Sequence, residues 1–207
     1  MSTIQQDFDR IVLVSEDGAA HNDRYHNFLL RHLPPNCQHV LEIGCGTGGF
    51  ARRLAERSEV RSAGSLPAIS PQVLALDLSP EMIRLAREQS TQFPNIEFEL
   101  TDICERQLPD ETFDCITSIA TLHHLPFAEI LLKMKTALKP GGVLLILDLF
   151  EPARISDSLL RGLLDYLLNF VALPVSMGLR FKHYGRLRQR PAERAAWAAH
   201  EHHDLYP

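Results

Sequence analysis

Apolar and polar positions recur with two different periods along the chain, and each period predicts one kind of element. Short apolar or alternating runs predict strands at 39–44, 73–79, 95–102, 113–122 and 143–150. Apolar residues spaced three and four positions apart predict helices at 22–33, 48–58, 79–89 and 127–138. A first helix is therefore followed by alternating strands and helices. This order is typical of an α/β fold with a doubly wound, mostly parallel sheet and helices on both faces.

Each predicted helix carries an apolar face that we expect to pack on the sheet. The first and last of these faces are formed by Tyr25, Phe28, Leu29 and Leu33, and by Phe127, Ile130, Leu131, Met134 and Leu138. Ser79 is expected to cap the helix that begins with Pro80, because serine accepts a backbone N–H there and proline suits the first helical position. The Lys-Pro-Gly-Gly segment at 139–142 is expected to end the last helix.

The ends of the predicted strands carry the residues with the most informative chemistry. The first strand contains one acid, Glu42, and runs into glycines at positions 44, 46, 48 and 49. Asp77 ends the second strand and Asp102 ends the third. Ligands of open parallel sheets bind in the crevice beyond the carboxyl ends of the strands. We therefore expect these residues, with the region 119–124 after the fourth strand, to surround one ligand site.

The glycines alone leave two classes of cofactor open. Positions 44, 46 and 49 match the dinucleotide fingerprint, whereas positions 44, 46 and 48 match a tighter glycine repeat. Asp77 does not decide between them, because both classes of cofactor contain an adenosine ribose that an acid can bind. Glu42 favours the second class, since a carboxylate is unfavourable beside a pyrophosphate but acceptable near a sulfonium and an ammonium group.

Taken in order, several stretches of the chain resemble the class I S-adenosylmethionine-dependent methyltransferases, in particular the small-molecule group of type 11 or 12. "VLEIGCGTG" is similar to the first motif of that family and "LALDLSPEMIRLARE" to its second. "IEFELTDICERQLPDETFDCITSIATLHHL" is similar to the third and fourth motifs, and "LKPGGVLLILDL" to the fifth. The resemblance covers about residues 20–152 and implies a Rossmann-like fold with S-adenosyl-L-methionine as the cofactor.

The resemblance also implies which residues contact that cofactor. In the family, the glycines let the backbone close around the methionine part, and an acid in the place of Glu42 helps to hold its amino end. Asp77 corresponds to the acid that binds the ribose hydroxyls, and Asp102 to the residue that binds the adenine. Gly49 is then interpreted as a small residue that lets the following helix pack closely on the sheet, and not as part of a pyrophosphate site. The full set is Glu42, Gly44, Cys45, Gly46, Gly48, Asp77, Leu78, Met82, Asp102, Ile103, Ile119 and Ala120.

Methyl transfer from a sulfonium is an in-line displacement, which requires mainly alignment of the reacting atoms and exclusion of water. The sequence therefore gives candidates for a catalytic residue but does not assign one. His123 and His124 follow the fourth strand and are candidates for orienting or deprotonating an acceptor hydroxyl, with a structural or cofactor-proximal role as the alternative. The predicted reaction is transfer of a methyl group to an O, N or C atom of a small-molecule acceptor.

Two other functions stay open at this point. One is a degenerate domain that binds the cofactor or a partner without turnover, and the more distant one is an NAD(P)-dependent oxidoreductase. The fourth strand is not followed by an Asn-Pro-Pro-Tyr tetrad, and the chain contains no Pro-Cys pair. By the resemblance, these absences argue against methylation of adenine N6, glutamine or cytosine C5.

Composition adds further limits. A net charge of −5 over 207 residues argues against a general nucleic-acid binder. The four cysteines lack CxxC spacing and are expected as reduced thiols of a cytoplasmic protein, and residues 1–10 do not resemble a signal peptide. The His-rich cluster at 200–204 lacks a second partner motif, so no metal site is expected. The apolar stretch 163–179 contains Asp165 and Pro174, which predicts a buried or lid-forming helix rather than stable membrane insertion.

We expect a single domain over 1–207, with the motif core at 36–152 and a helical lid or C-terminal segment at 153–207. The resembled family usually has seven strands and only five are found here, so the chain is expected to be truncated at its C-terminus. Residues 59–72 are expected to form a surface loop, 180–190 a basic surface and 191–203 a helix. The oligomeric state does not follow from the sequence.

Overall fold

The computed structural model describes residues 3–14, 23–57, 70–148, 191–192 and 195–196. The helices are α1 (Thr3–Val14), α2 (Asp23–Leu30), α3 (Gly49–Ala55), α4 (Pro80–Gln89) and α5 (Phe127–Ala137). The strands are β1 (His39–Ile43), β2 (Gln72–Asp77), β3 (Ile96–Leu100), β4 (Phe113–Ile119) and β5 (Leu138–Leu147). A short 3-10 turn, Leu122–His124, lies between β4 and α5.

These five strands form one sheet in the order β3-β2-β1-β4-β5, and every neighbouring pair is parallel. The predicted α/β class and the alternation of strands and helices are therefore confirmed. The order of strands reverses between β1 and β4, which lie side by side although β2 and β3 separate them in the sequence. Such a reversal opens a crevice at the carboxyl ends of the strands, where ligands of doubly wound sheets bind.

Both faces of the sheet are covered. Val40 and Leu41 are adjacent in β1 and point to opposite faces, yet both are 0% exposed. Val40 belongs to a core cluster with Leu54 of α3, and Leu41 belongs to a second cluster with Met134 of α5. A central strand buried on both faces explains why β1 has a nearly continuous apolar sequence rather than an alternating one.

The N-terminal helix α1 is an element that the periodicity did not predict. Its residues Ile11 and Val12 are buried, whereas the next residue, Leu13, is 70% exposed. Four consecutive aliphatic residues at positions 11–14 give little helical periodicity, and this explains the omission. The helix packs against α4 and so lies near the predicted ligand site.

Some predicted core positions are wrong. Tyr25 and Phe28 are 37% and 59% exposed, because α2 turns His26 and Leu29 inward instead, and the His26 ring packs on Phe50 at 4.8 Å between centroids. Phe127 is 53% exposed because it is the first residue of its helix. A face defined by only two or three turns leaves the rotation of a helix poorly determined.

The boundary between α5 and β5 also differs from the prediction. The helix ends at Ala137, and Leu138 begins β5 by pairing with Phe113 of β4. An irregularity in the pairing between Phe113 and Cys115 accommodates the Lys-Pro-Gly-Gly segment within the strand. That segment therefore does not separate the two elements.

The start of α4 agrees with the prediction. Ser79 caps the helix and accepts the backbone N–H of Met82 at 3.1 Å.

Several predictions fall on residues that lie wholly or mainly outside the described part of the chain. They are the loop at 59–72, the apolar segment 163–179, the basic segment 180–190, the cluster at 200–204 and the C-terminal truncation. Residues 191–192 and 195–196 are helical, within the helix predicted over 191–203. Over the described ranges, we find no helix with the length and apolar character that a membrane span requires. The cytoplasmic location stays a prediction.

Candidate functional site

The loop between β1 and α3 turns over the end of β2. The backbone N–H groups of Gly44 and Cys45 both donate to the carbonyl of Leu76, each at 2.9 Å. Three glycines of the loop have left-handed backbone angles, with φ of 75° at Gly44, 53° at Gly46 and 76° at Gly48. L-residues with side chains adopt this region at a cost of about 1–2 kcal/mol, which explains the choice of glycine.

The same three glycines differ in what surrounds them. A β-carbon on Gly44 would overlap the side chain of Thr121, so the glycine loop lies directly against the loop after β4. A β-carbon on Gly48 would lie 2.8 Å from the ring of Phe98 in β3. At Gly46 the nearest atom is the Met82 sulfur at 4.0 Å. Of the three, Gly46 is the one whose open side leaves room for another group.

Asp77 connects this loop to helix α4. One of its carboxylate oxygens accepts the N–H of Gly46 at 2.8 Å, and the other accepts the N–H of Ser79 at 2.9 Å. Burial raises the pKa of Asp77, and hydrogen bonds from backbone N–H groups partly offset this, while the charge of Asp9 raises it further. A half-buried acid thus holds the glycine loop and the N-terminus of α4 together at the end of β2.

Asp9 in α1 is a second acid at this place. Its carboxylate accepts a hydrogen bond from the hydroxyl of Ser79, the residue that caps α4 next to Asp77. The N-terminal helix is therefore attached to the edge of the site. Sequence reasoning missed Asp9, because it lies 70 residues before Ser79 in a helix that the periodicity did not predict.

Glu42 is the third acid, and it is 2% exposed in the middle strand of the sheet. Among the described residues, its Oε2 atom has no hydrogen-bond partner. The pKa of Glu42 is raised well above its ordinary value by burial and, less strongly, by the charge of Asp77, with Arg52 acting in the opposite direction. A buried carboxyl oxygen without a partner is costly, so the site favours a ligand that carries a donor or a positive charge.

The remaining predicted cofactor residues of the first two loops line the same region. Cys45 is buried, and burial with the charges of Asp77 and Glu42 raises the pKa of its thiol, so it is a neutral thiol rather than a reactive thiolate. Met82 is 2% exposed in α4, and Leu78 is half-buried between Asp77 and the helix.

Asp102 forms a turn after β3. Its side chain accepts the N–H of Cys104 at 2.8 Å, and its carbonyl accepts the N–H of Arg106 at 2.9 Å. Ile103 is buried, and its carbonyl accepts the ammonium group of Lys133 at 2.7 Å. The loop is thus fixed from both sides. The structure gives Asp102 a local role in turn formation, and contact with a ligand stays a proposal.

The end of β4 lies beside the end of β5. Ile119 is half-buried, and Ala120 has a left-handed φ of 50° with its N–H donating to the carbonyl of Leu147 at 2.7 Å. Asp148 follows β5, and one of its oxygens accepts the N–H of Leu122 at 2.6 Å. Its other oxygen bonds to Nδ1 of His123. Sequence reasoning missed Asp148, although an acid that ends a strand is the same signal that identified Asp77.

The two candidate histidines have different surroundings. The side chain of His123 is 15% exposed and pairs with Asp148. His124 is buried, lies 3.8 Å from the His123 ring between centroids, and meets the ring of Phe8 in α1 edge-on at 5.5 Å. His123 is therefore the better placed of the two to meet a ligand, and His124 packs beneath α1.

A separate cleft of about 390 Å³ lies on the helical side of the domain. It is lined by residues of α2, of α3 and its C-cap, and of the end of α4 and the turn after it, which are His26, Asn27, Gly49, Arg52, Arg53, Glu56, Gln89, Gln92 and Phe93. None of the predicted cofactor residues lines this cleft. It is therefore distinct from the crevice at the strand ends.

The raised pKa of Glu42 predicts how stability depends on pH. The native state keeps the Glu42 proton in a pH range where the unfolded chain, with a pKa of about 4.3, has released it. The unfolding free energy of the ligand-free protein therefore falls as pH rises through that range. We expect Glu42→Gln to raise the unfolding free energy at pH 7, because the amide is neutral in the native state without taking up a proton.

Urea unfolding of the wild type and of Glu42→Gln between pH 5 and pH 8 measures the two unfolding free energies. Their difference is evaluated where the native wild type binds one proton more than the unfolded chain. Glu97→Gln is the matched control, since Glu97 lies exposed on the edge strand β3. The interpretation of Glu42 is wrong if Glu42→Gln is no more stable than the wild type at pH 7, or if the control shifts equally.

Comparison with known proteins gives a consistent picture. The profile of a family described as "Methyltransferase domain" matches residues 40–142. An uncharacterized methyltransferase of Mycobacterium bovis is 31% identical over 152 residues, which are 73% of this chain and 68% of that protein. A demethylmenaquinone methyltransferase of Tropheryma whipplei is 29% identical over 140 residues, which are 67% of this chain and 53% of that protein.

A solved structure agrees in fold. The phosphoethanolamine N-methyltransferase 2 of Haemonchus contortus, in complex with phosphomonomethylethanolamine and S-adenosylhomocysteine, superposes with a TM-score of 0.56 and 24% identity. The superposition covers 70% of this chain and 35% of that one. The chain spans between 21% and 53% of the length of the first curated relatives that it matches.

Proposed function

Because the chain belongs to the class I S-adenosylmethionine-dependent methyltransferases, we propose that its strand ends hold S-adenosylmethionine and present the methyl group to a small-molecule acceptor. The observation that carries the proposal is a pair of interacting acids, the buried Glu42 and the half-buried Asp77, of which Asp77 bonds to the backbone of the open Gly46. Asp9 adds a third carboxylate at the same edge. Three acids close together favour a cationic ligand and disfavour a pyrophosphate.

Each part of the site has a role in the proposal. Gly44, Cys45, Gly46 and Gly48 surround the methionine part, and the unpartnered Oε2 of Glu42 accepts from its ammonium group. This contact would satisfy the buried oxygen and hold its carboxylate in the ionised form. The lining residues Ile119 and Ala120 form the floor on the β4 side, where the glycine loop meets Thr121.

The adenosine part belongs on the other side of Gly46. Asp77 accepts the ribose hydroxyls through the lone pairs that its two backbone hydrogen bonds leave available. Leu78 and Met82 supply apolar contact to the adenosine, and Asp102 with Ile103 supports the adenine. The bound cofactor supplies an activated methyl group, and the protein aligns it with the acceptor and excludes water.

The acceptor class rests on the relatives alone. Their names indicate demethylmenaquinone, a 2-methyl-6-phytyl-1,4-hydroquinone and phosphoethanolamine as acceptors of those proteins. For this chain we propose a small molecule methylated at an O, N or C atom, with no nucleic-acid partner. The net charge of −5 supports the exclusion of nucleic acid.

Methyl transfer tests the proposal directly. The full chain is incubated with S-adenosylmethionine and, separately, a demethylmenaquinol, a phytyl hydroquinone, phosphoethanolamine or a metabolite extract, and formation of S-adenosylhomocysteine is measured. We expect acceptor-dependent product that Asp77→Ala reduces at least about 100-fold when the cofactor is below saturation, because the variant binds the cofactor more weakly. Binding of S-adenosylhomocysteine without any methylated product would indicate a binding domain instead, and absence of binding would contradict both functions.

A further inference from the structure

The carboxyl ends of β4 and β5 carry a histidine and an aspartate in direct contact. These strands pair in register up to Ile119 and Leu147, and Asp148 is the next residue of the chain. The Asp148 side chain bonds to His123 Nδ1 through one oxygen, and through the other it accepts the N–H groups of Leu122 at 2.6 Å and Thr121 at 3.3 Å. One carboxylate therefore holds both the imidazole and the backbone that carries it.

The backbone directly after β4 has a strained conformation that neighbouring residues must hold in place. Ala120 has a φ of 50°, a region that residues with a β-carbon seldom adopt, and its N–H is held by the Leu147 carbonyl. Strained backbone of this kind persists where the structure around it fixes it, and it is concentrated at functional sites. Here the end of β5 fixes it, through the carbonyl of Leu147 and the carboxylate of Asp148.

The contact with Asp148 determines which nitrogen of His123 is available. A carboxylate accepts a proton on Nδ1, so the neutral imidazole carries its hydrogen there and its lone pair on Nε2. Within the described part of the chain, His123 Nε2 forms no hydrogen bond. A base oriented by a carboxylate on its other nitrogen is the arrangement that proton transfer requires.

The position relative to the glycine loop is also suitable. Thr121, two residues before His123, packs against Gly44 so closely that a β-carbon on the glycine would overlap it. His123 therefore stands beside the part of the loop that the proposed function assigns to the methionine group. His124 and Phe8 pack behind it and leave the imidazole 15% exposed at the crevice.

We infer that His123 is the proton acceptor of the reaction and that Asp148 is its positioning residue, an inference that rests on the proposed function. As the bond from sulfur to methyl breaks and the bond from methyl to acceptor forms, the O–H or N–H proton of the acceptor passes to Nε2. The resulting imidazolium is balanced by the Asp148 carboxylate. The acceptor is thereby a molecule that gives up an O–H or N–H proton as it is methylated.

The tautomer of His123 tests the arrangement without any acceptor. Nitrogen-15 spectra of the full chain are recorded at increasing pH until the signals of the His123 ring are those of the neutral imidazole. We expect the proton on Nδ1 in the wild type. The Asp148→Asn variant keeps an oxygen for the Leu122 N–H but turns a donor toward Nδ1, so it should move the proton to Nε2. A wild-type proton on Nε2, or no change in the variant, overturns the inference.

The reactivity of Nε2 is a second test. Diethyl pyrocarbonate acylates imidazoles through the lone pair, and peptide mass spectrometry gives the rate at each histidine. His32 is the internal reference, since it is exposed and, among the described residues, its ring nitrogen bonds to the backbone carbonyl of Phe28. We expect the rate at His123 relative to His32 to fall at least tenfold in Asp148→Asn. An unreactive His123 in the wild type overturns the inference, because an acceptor would not reach it either.

With an acceptor that the chain methylates, we expect His123→Ala to lower kcat about 100-fold or more, with KM changed less than about threefold. Added imidazole should restore part of kcat, which a structural role would not allow. Unchanged kcat contradicts the inference. Calorimetry with S-adenosylhomocysteine on the same samples separates the two proposals. If the wild type does not bind S-adenosylhomocysteine, the proposed function is rejected. The roles of His123 and Asp148 are tested independently by the tautomer and by the acylation rate.

Discussion

Replacement of Asp77 by alanine is expected to weaken the binding of S-adenosylhomocysteine at least about 100-fold, because this residue acts on both the ligand and the loop. Hydrogen bonds to a charged group contribute about 1.5–3 kcal/mol each, and two such bonds to the ribose are lost. The N–H groups of Gly46 and Ser79 also lose their acceptor. Because about 1.4 kcal/mol corresponds to a tenfold change in affinity, a loss of 100-fold is a conservative expectation.

Isothermal calorimetry of three variants measures this effect. Asp77→Asn keeps one oxygen for a backbone N–H and should bind with an affinity between those of the wild type and Asp77→Ala. Asp110→Ala is the control, since Asp110 is an exposed acid in the turn before β4. If Asp77→Ala binds within threefold of the wild type while remaining folded, the assignment of the ribose site is wrong.

The second large effect is that substitutions at two glycines of the same loop should act on different properties, one on cofactor binding and the other on stability. Gly46 and Gly48 have similar left-handed φ angles, so alanine at either position costs about 1–2 kcal/mol of backbone strain. At Gly48 the added methyl group would also lie 2.8 Å from the Phe98 ring, and such overpacking costs about 1–3 kcal/mol more. At Gly46 the methyl group enters the open side, where the proposed cofactor lies.

We therefore expect Gly46→Ala to lose most of its affinity for S-adenosylhomocysteine with a small loss of stability, and Gly46→Val to lose all measurable binding. Gly48→Ala should lower the unfolding free energy by about 2–5 kcal/mol, the sum of strain and overpacking. Urea unfolding and calorimetry on the same preparations measure both quantities. Equal stability of Gly46→Ala and Gly48→Ala, or normal binding by Gly46→Ala, would contradict the roles assigned to the two positions.

The sequence predicted those parts of the fold that depend on local order along the chain. The strand at His39–Ile43, the glycine turn after it and the Ser79 cap all follow from patterns within about ten residues, and the structure contains each of them. Apolar runs also identified all five strands of the sheet. Local patterns suffice here because strands, turns and caps are formed by neighbouring residues.

The missed residues depend on contacts between distant segments. Asp148 meets His123 because β5 pairs with β4, and periodicity gives the strands but not their order in the sheet. Asp9 meets Ser79 because α1 packs on α4. The exposure of Tyr25 has a similar origin, since the packing of His26 on Phe50 fixes the rotation of a helix of only eight residues.

The central claim is that the acids around Gly46 select S-adenosylmethionine over a dinucleotide. The most direct measurement is calorimetric titration of the full chain with S-adenosylhomocysteine and, in parallel, with NAD. The account predicts saturable binding of S-adenosylhomocysteine at one site per chain and no measurable binding of NAD. Saturable binding of NAD without binding of S-adenosylhomocysteine would contradict it.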